Sequence, residues 1–159
     1  MDRQIGRIVL DSSLVPKQRA IISIGYEGRT PREFLALLRA NGVRKVIDVR
    51  ELPLSRRKGF SKTPLSTLLE TAGIAYQHLR AAGNPHRALK ADTARCLALY
   101  AKHIAAHPEV VDLVTTGLAE KDPVAVICFE RAHADCHRSR LLEAVDRKRP
   151  RAWRVVRVE

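Results

Sequence analysis

Three short apolar runs constrain this chain more than any other feature: AIISI at Ala20–Ile24, VIDV at Val46–Val49 and VAVICF at Val124–Phe129. Each is too short for a helix and lacks a polar face, which suits a strand buried on both sides of a sheet. Between them lie segments with helical apolar spacing. In TPREFLALLRANG, Thr30 is a candidate N-cap, Pro31 fits the first helical position, and Glu33 stands where a capping box needs it. Phe34, Leu35, Leu37 and Leu38 follow at helical intervals, and Asn41-Gly42 supplies the stop. Further helices are expected over Leu65–Ala72, Thr93–Ala106, Glu109–Leu118 and Cys136–Val145, with a less buried strand at Ile74–Leu79.

Strands alternating with amphipathic helices predict an α/β fold of three layers, a mostly parallel sheet flanked by helices. A length of 159 residues with 45% apolar content suits a single domain over 1–159. The N-terminal stretch IGRIVLD and the tail WRVVRV are candidates for edge strands. In such folds ligands bind beyond the carboxyl ends of the strands. The unusual residues of this chain gather at those ends: GYEGR after the first run, DVRELPLSRRKGF at the second, FERAHADCHR after the third. They are therefore expected to line one crevice.

The formal net charge of +12 biases the chain toward anionic partners, either a small molecule or a nucleic acid. Aromatic residues make up only 4%, which leaves few rings for stacking on bases. No apolar run reaches membrane-spanning length and MDRQIGRIVLD lacks a signal core, so no membrane association is expected and the chain reads as cytoplasmic. Three cysteines fit free thiols better than a disulfide framework. The sequence alone does not fix an oligomeric state.

Several residues are candidates for chemistry. With Asp135 as N-cap, Cys136 would open the last helix, where the dipole favours a thiolate; a buried packing role is the alternative. His137 would serve as its base only if its ring turned back, since adjacent helical residues point apart. His133 and His78 are other candidates for that role. Glu130 is a candidate general acid or base, or an arginine's counter-ion. Arg50, Arg56 and Arg138, with Ser55, form the expected anion-binding set, while Tyr26, Glu27, Asp48 and Asn84 are expected around the pocket. Asp48 lies inside an apolar strand and must be paired. Cys128, Glu130, His133, Cys136 and His137 are metal ligands by type, but their spacing matches no standard zinc pattern and arginines crowd them. No metal and no cofactor is therefore expected. The cysteine-phosphatase spacing, Cys followed by Arg six residues on, is absent at both Cys128 and Cys136.

The stretches IGYEGRTPREFLALLRANGVRKVIDVRELPLSRRKGFSKTPL, LLETAGIAYQHLRAAGNP and ICFERAHADCHRSRLLEAV resemble the bacterial and archaeal Domain of Unknown Function 488 family over Ile21–Val145. The resemblance implies an α/β fold, an intracellular location and a motif set of the Gly-Tyr-Glu-Gly, Asp-Val-Arg, Ser-Arg and Cys-His-Arg kind. It implies no activity. The chain departs from the family pattern at Ala82, where Leu usually precedes the Gly-Asn-Pro turn. The function expected from the residues is an enzyme working on a phosphorylated or other anionic substrate in an Arg-rich crevice. A non-catalytic nucleic-acid-binding module is the alternative, followed by rhodanese-like sulfur transfer and metal binding.

Overall fold

The computed structural model describes residues 18–159. The strands are β1 (Arg19–Gly25), β2 (Lys45–Asp48), β3 (Ala75–His78), β4 (Val124–Cys128) and β5 (Trp153–Val158). The helices are α1 (Pro31–Ala40), α2 (Lys62–Thr71), α3 (Thr93–Ala106), α4 (Pro108–Gly117) and α5 (Arg138–Lys148). The five strands form one sheet in the order β3-β2-β4-β1-β5, and every neighbouring pair is parallel. The tail is thus an edge strand, as expected. The proposed N-terminal strand IGRIVLD lies outside the described residues.

Helices cover both faces. On one, Phe34 and Leu38 of α1 and Leu65 and Leu69 of α2 pack on Ile22, Ile24, Val46, Ala125 and Ile127. On the other, Tyr100 and Ile104 of α3, Val111 and Val114 of α4, and Leu141 and Val145 of α5 pack on Ile21, Ile47, Val124 and Val126. Residues alternate between the two cores along each central strand, which is why these strands carry no polar face. Fully burying each such side chain contributes about 1.5–3 kcal/mol. The start of α1 follows the sequence closely. Thr30 Oγ1 accepts from Glu33 N at 3.2 Å while the Glu33 carboxylate accepts from Thr30 N at 2.7 Å, a complete capping box.

The start of α5 does not follow it. Residues 133–135 form a single 3-10 turn, Cys136 is extended with φ −107° and ψ 147°, and the helix begins only at Arg138, without a side-chain cap. Asp135 is therefore not the N-cap, and Cys136 is not the first helical residue. Its extended backbone carries the sulfur under the end of β4 instead of leaving it on a helix turn.

Topology explains where a ligand site can form. The loops after β1 and β2 lead to α1 and α2 on one face, whereas the loop after β4, which lies between those strands, leads to α5 on the other. The chain parts on either side of β4 and opens a crevice at its carboxyl end. Gly25 lets the two walls meet there: a Cβ on it would stand 1.8 Å from the carbonyl oxygen of Glu130 and 2.9 Å from that of Phe129. Backbone cannot yield as a flexible side chain does, so Gly25→Ala is expected to destabilise the fold by about 1–3 kcal/mol or more and to displace the Glu130 loop. Urea unfolding together with the amide chemical shifts of residues 128–131 would check this; a variant as stable as wild type with unmoved shifts would contradict it.

Candidate functional site

A cleft of about 1130 Å³ opens at the carboxyl edge of the sheet. Its walls come from all the expected segments: Tyr26 and Glu27 after β1, Arg50 to Arg57 after β2, Asn84 to Thr93 after β3, and Cys128 to His137 after β4. Of the residues expected at the site, Tyr26, Glu27, Arg50, Ser55, Arg56, Asn84, Glu130 and His137 line this cleft. Asp48, Cys136 and Arg138 lie behind its surface, each 0% exposed.

Two of the expected anion-binding arginines have internal partners. Arg50 Nε and Nη2 hold both oxygens of Asp48 at 2.6–3.1 Å, and Nη1 donates to Tyr26 Oη at 3.2 Å and to the Phe60 carbonyl at 2.6 Å. Tyr76 donates its hydroxyl to the same carboxylate at 2.6 Å, so this tyrosine does more than pack. Burial opposes the Arg50 charge, but Asp48 outweighs it and raises the guanidinium pKa. Burial and then the Asp48 charge raise the Tyr76 phenol well above its usual value. Asp48 is paired as a buried strand carboxylate must be. Arg138 donates from Nε to Cys136 Sγ at 3.2 Å and from Nη2 to the Glu130 carbonyl at 2.5 Å. Its Nη1 is buried without a hydrogen-bond partner.

The remaining cations sit at the rim. Arg56 is exposed and makes no ion pair among the described residues, and neither does Lys90. Arg87 is bound to Glu51 at 2.7 Å, and Arg57 Nη2 donates to the Arg29 carbonyl at 2.8 Å. Ser55 is a turn former: its N–H donates to Ser61 Oγ at 3.0 Å, and its own hydroxyl accepts from Arg57 N at 3.1 Å. Asn84 shapes the neighbouring loop, accepting from His86 N at 2.9 Å and donating to Cys96 Sγ at 3.2 Å. Glu27 accepts from Arg131 N at 2.9 Å, tying the loops after β1 and β4 together.

The floor holds two thiols, an imidazole and a carboxylate. His137 Nδ1 lies 3.8 Å from both Cys128 Sγ and Cys136 Sγ. Its ring turns back toward them because Cys136 is extended, so the helical rule that separates adjacent side chains does not apply. His137 Nε2 stands 2.9 Å from the Val49 carbonyl. A carbonyl only accepts, so Nε2 carries a proton and Nδ1 is the ring nitrogen that faces the sulfurs. The other candidate bases sit elsewhere: His133 Nδ1 bonds Ser23 Oγ at 2.7 Å and His78 Nε2 bonds the Arg50 carbonyl at 2.7 Å.

Burial opposes ionisation of Cys136, but the neighbouring Cys128 thiol, with His137 and Arg138 beside it, holds its thiol well below the ordinary range. Cys128 moves the opposite way, raised by the neighbouring Cys136 and then by burial. Burial works against protonation of His137 and the Cys136 charge outweighs it, raising its pKa. Glu130 is raised by burial and then by Cys136, and its Oε2 is buried without a hydrogen-bond partner.

Cys128 belongs to this group although the expected catalytic set omitted it. Its position at the last residue of β4, where parallel strands present their ligands, was the available signal. Phe60 was also missed. It is fully buried and stacks on Tyr26 with ring centroids 4.4 Å apart, anchoring the basic loop that carries Ser55 and Arg56.

None of the helices among the described residues is long and apolar enough to cross a membrane. No curated protein and no solved structure gives a significant match to the chain. The model of one family, Domain of unknown function DUF488, matches residues 30–152. That span takes in α1, the β2 Asp-Val-Arg, the basic loop and the whole Cys-His-Arg floor, and the chain belongs to the DUF488 family.

Proposed function

We propose that the protein is an enzyme acting on a phosphorylated or otherwise anionic substrate held in the cleft. The observation that carries this reading is the vertical order of the cleft. Rim cations without ion-pair partners, Arg56 and Lys90, stand around an opening whose floor holds Cys128, His137 and Glu130. An anion drawn to the rim would place the rest of its molecule over groups able to transfer a proton. Arg50 and Arg138 act in this reading as supports, fixing the strand ends and the floor. A reducing, cytoplasmic location suits three free cysteines.

Isothermal titration of the reduced chain with inorganic phosphate and a nucleoside monophosphate tests the reading. Saturable binding at one site is expected, weakened about tenfold or more by Arg56→Ala, as for loss of one charged hydrogen bond. Phosphate binding that ignores both Arg56→Ala and Lys90→Ala, or no binding at all, would sink it. Tight oligonucleotide binding that falls steeply with salt and is indifferent to these two variants would favour the nucleic-acid module instead.

A further inference from the structure

We propose that Cys128, Cys136 and His137 form a binding site for one divalent metal of the zinc class. Cys128 Sγ, Cys136 Sγ and a ring nitrogen of His137 all lie within 4.8 Å of one another, on buried residues. The two sulfur–nitrogen distances are both 3.8 Å. That is long for a thiol–imidazole hydrogen bond. It is within a few tenths of an ångström of the sulfur–nitrogen edge of a zinc tetrahedron, about 3.5–3.6 Å when zinc–sulfur bonds are about 2.3 Å and zinc–nitrogen bonds about 2.0–2.1 Å.

The second observation is the orientation of the imidazole. Metal-ligating histidines donate their other ring N–H to a carboxylate or carbonyl, which fixes the tautomer and aims the free lone pair. His137 does this through Nε2 and the Val49 carbonyl. The third is Glu130. Its Oε2 is buried with no partner, and the residue lines the cleft together with Cys128 and His137. The cleft side of the triad thus carries a spare carboxylate and offers a path for entry.

Arg138, buried against Cys136, looks hostile to a cation, and the charges resolve this. A divalent ion with two thiolates is neutral, and the Glu130 carboxylate makes the group −1. Arg138 returns the group to zero and supplies an N–H···S bond to a ligand sulfur at 3.2 Å. On binding, the metal takes two sulfur lone pairs and the Nδ1 lone pair, and the protons still held by the thiols pass to buffer. Three protein ligands with one side open to the cleft is the arrangement of a catalytic zinc, not of a closed structural one. The proposal does not depend on the anionic-substrate reading, because uptake is measured with no substrate present.

The test uses the full chain, reduced, freed of metal with a chelator and titrated with cobalt(II). One cobalt per chain is expected, with visible bands of tetrahedral intensity and near-ultraviolet sulfur-to-cobalt charge transfer, all abolished by one equivalent of zinc. Cys128→Ser, Cys136→Ser and His137→Ala should each weaken zinc at least about 100-fold. Cys96→Ser, which alters a thiol held by Asn84 and the His86 carbonyl and not one of the three clustered ligands, should leave it unchanged. Absence of the charge-transfer band in the wild-type chain would overturn the proposal without needing any variant to fold. So would zinc uptake that survives Cys128→Ser and Cys136→Ser together, since surface histidines such as His103 and His107 would then be the ligands.

Discussion

Asp48→Asn is expected to lower the stability of the fold by about 3–5 kcal/mol, the usual result of removing one partner from a buried ion pair. The Arg50 guanidinium is left 5% exposed with no counter-charge where the carboxylate of a wholly buried Asp48 had stood. The new amide also turns donors toward donors. Four Arg50 hydrogen bonds, from its backbone and side-chain nitrogens, end on Asp48, and the Tyr76 hydroxyl adds a fifth from the neighbouring strand. In a chain of this size the loss corresponds to a fall in Tm of roughly 6–20 °C. Urea denaturation of Asp48→Asn, Arg50→Met and the double variant measures it. The double variant should lose less than the sum of the singles, because it leaves no unpaired charge behind. A loss below about 1 kcal/mol in Asp48→Asn would mean that the pair is solvated and that Arg50 is free to bind a ligand.

That outcome bears on how much of the molecule could be read from sequence. Periodicity located all five strands and helices among the described residues, because each central strand is apolar on both faces and each helix carries a stripe facing one of the two cores. The capping box at Thr30 and the separation of α3 from α4 at His107-Pro108 follow from local chemistry. The convergence of three loops on one crevice was legible for the same reason: strand ends in a parallel sheet all face one way. What sequence could not supply was the direction of each side chain. Arg50 and Arg138 read as ligand arginines in the linear sequence, and only the structure shows that Asp48, Phe60 and Glu130 also hold them. Cys136 lies two residues ahead of the helix it is expected to open, because nothing local marks residue 136 as extended. The pairing of Cys128 with Cys136 joins a strand end to a loop eight residues on, and no spacing rule predicts it.

Phe60→Ala is expected to cost a similar amount, about 3–5 kcal/mol, and to change the cleft where Asp48→Asn changes the frame. Phe60 is 0% exposed. Its ring stacks on Tyr26 at 11° between planes and meets Phe34 edge-on at 5.6 Å, so it joins the basic loop to β1 and α1. Around it the loop is otherwise held by polar contacts: Lys62 N to the Pro53 carbonyl at 2.8 Å, Ser55 N to Ser61 Oγ at 3.0 Å and Arg50 Nη1 to the Phe60 carbonyl. Those contacts survive truncation to alanine, but they fix the ends and the backbone of the loop and leave its apolar anchor missing. Arg56, Arg57 and Lys58, all exposed and all trypsin sites, lie on the segment that is released. Limited trypsin digestion should therefore cut Phe60→Ala within residues 56–58 well before the rest of the chain, and amide exchange should accelerate over 51–61 but not in β4. Phe60→Leu keeps part of the buried area and should fall between the two. If Phe60→Ala instead lost global stability while the loop stayed as protected as in wild type, the ring would be core filling alone. The position of Arg56 over the cleft would then be set by the polar ties, and the anion-binding rim would be a property of backbone geometry, indifferent to the aromatic stack beneath it.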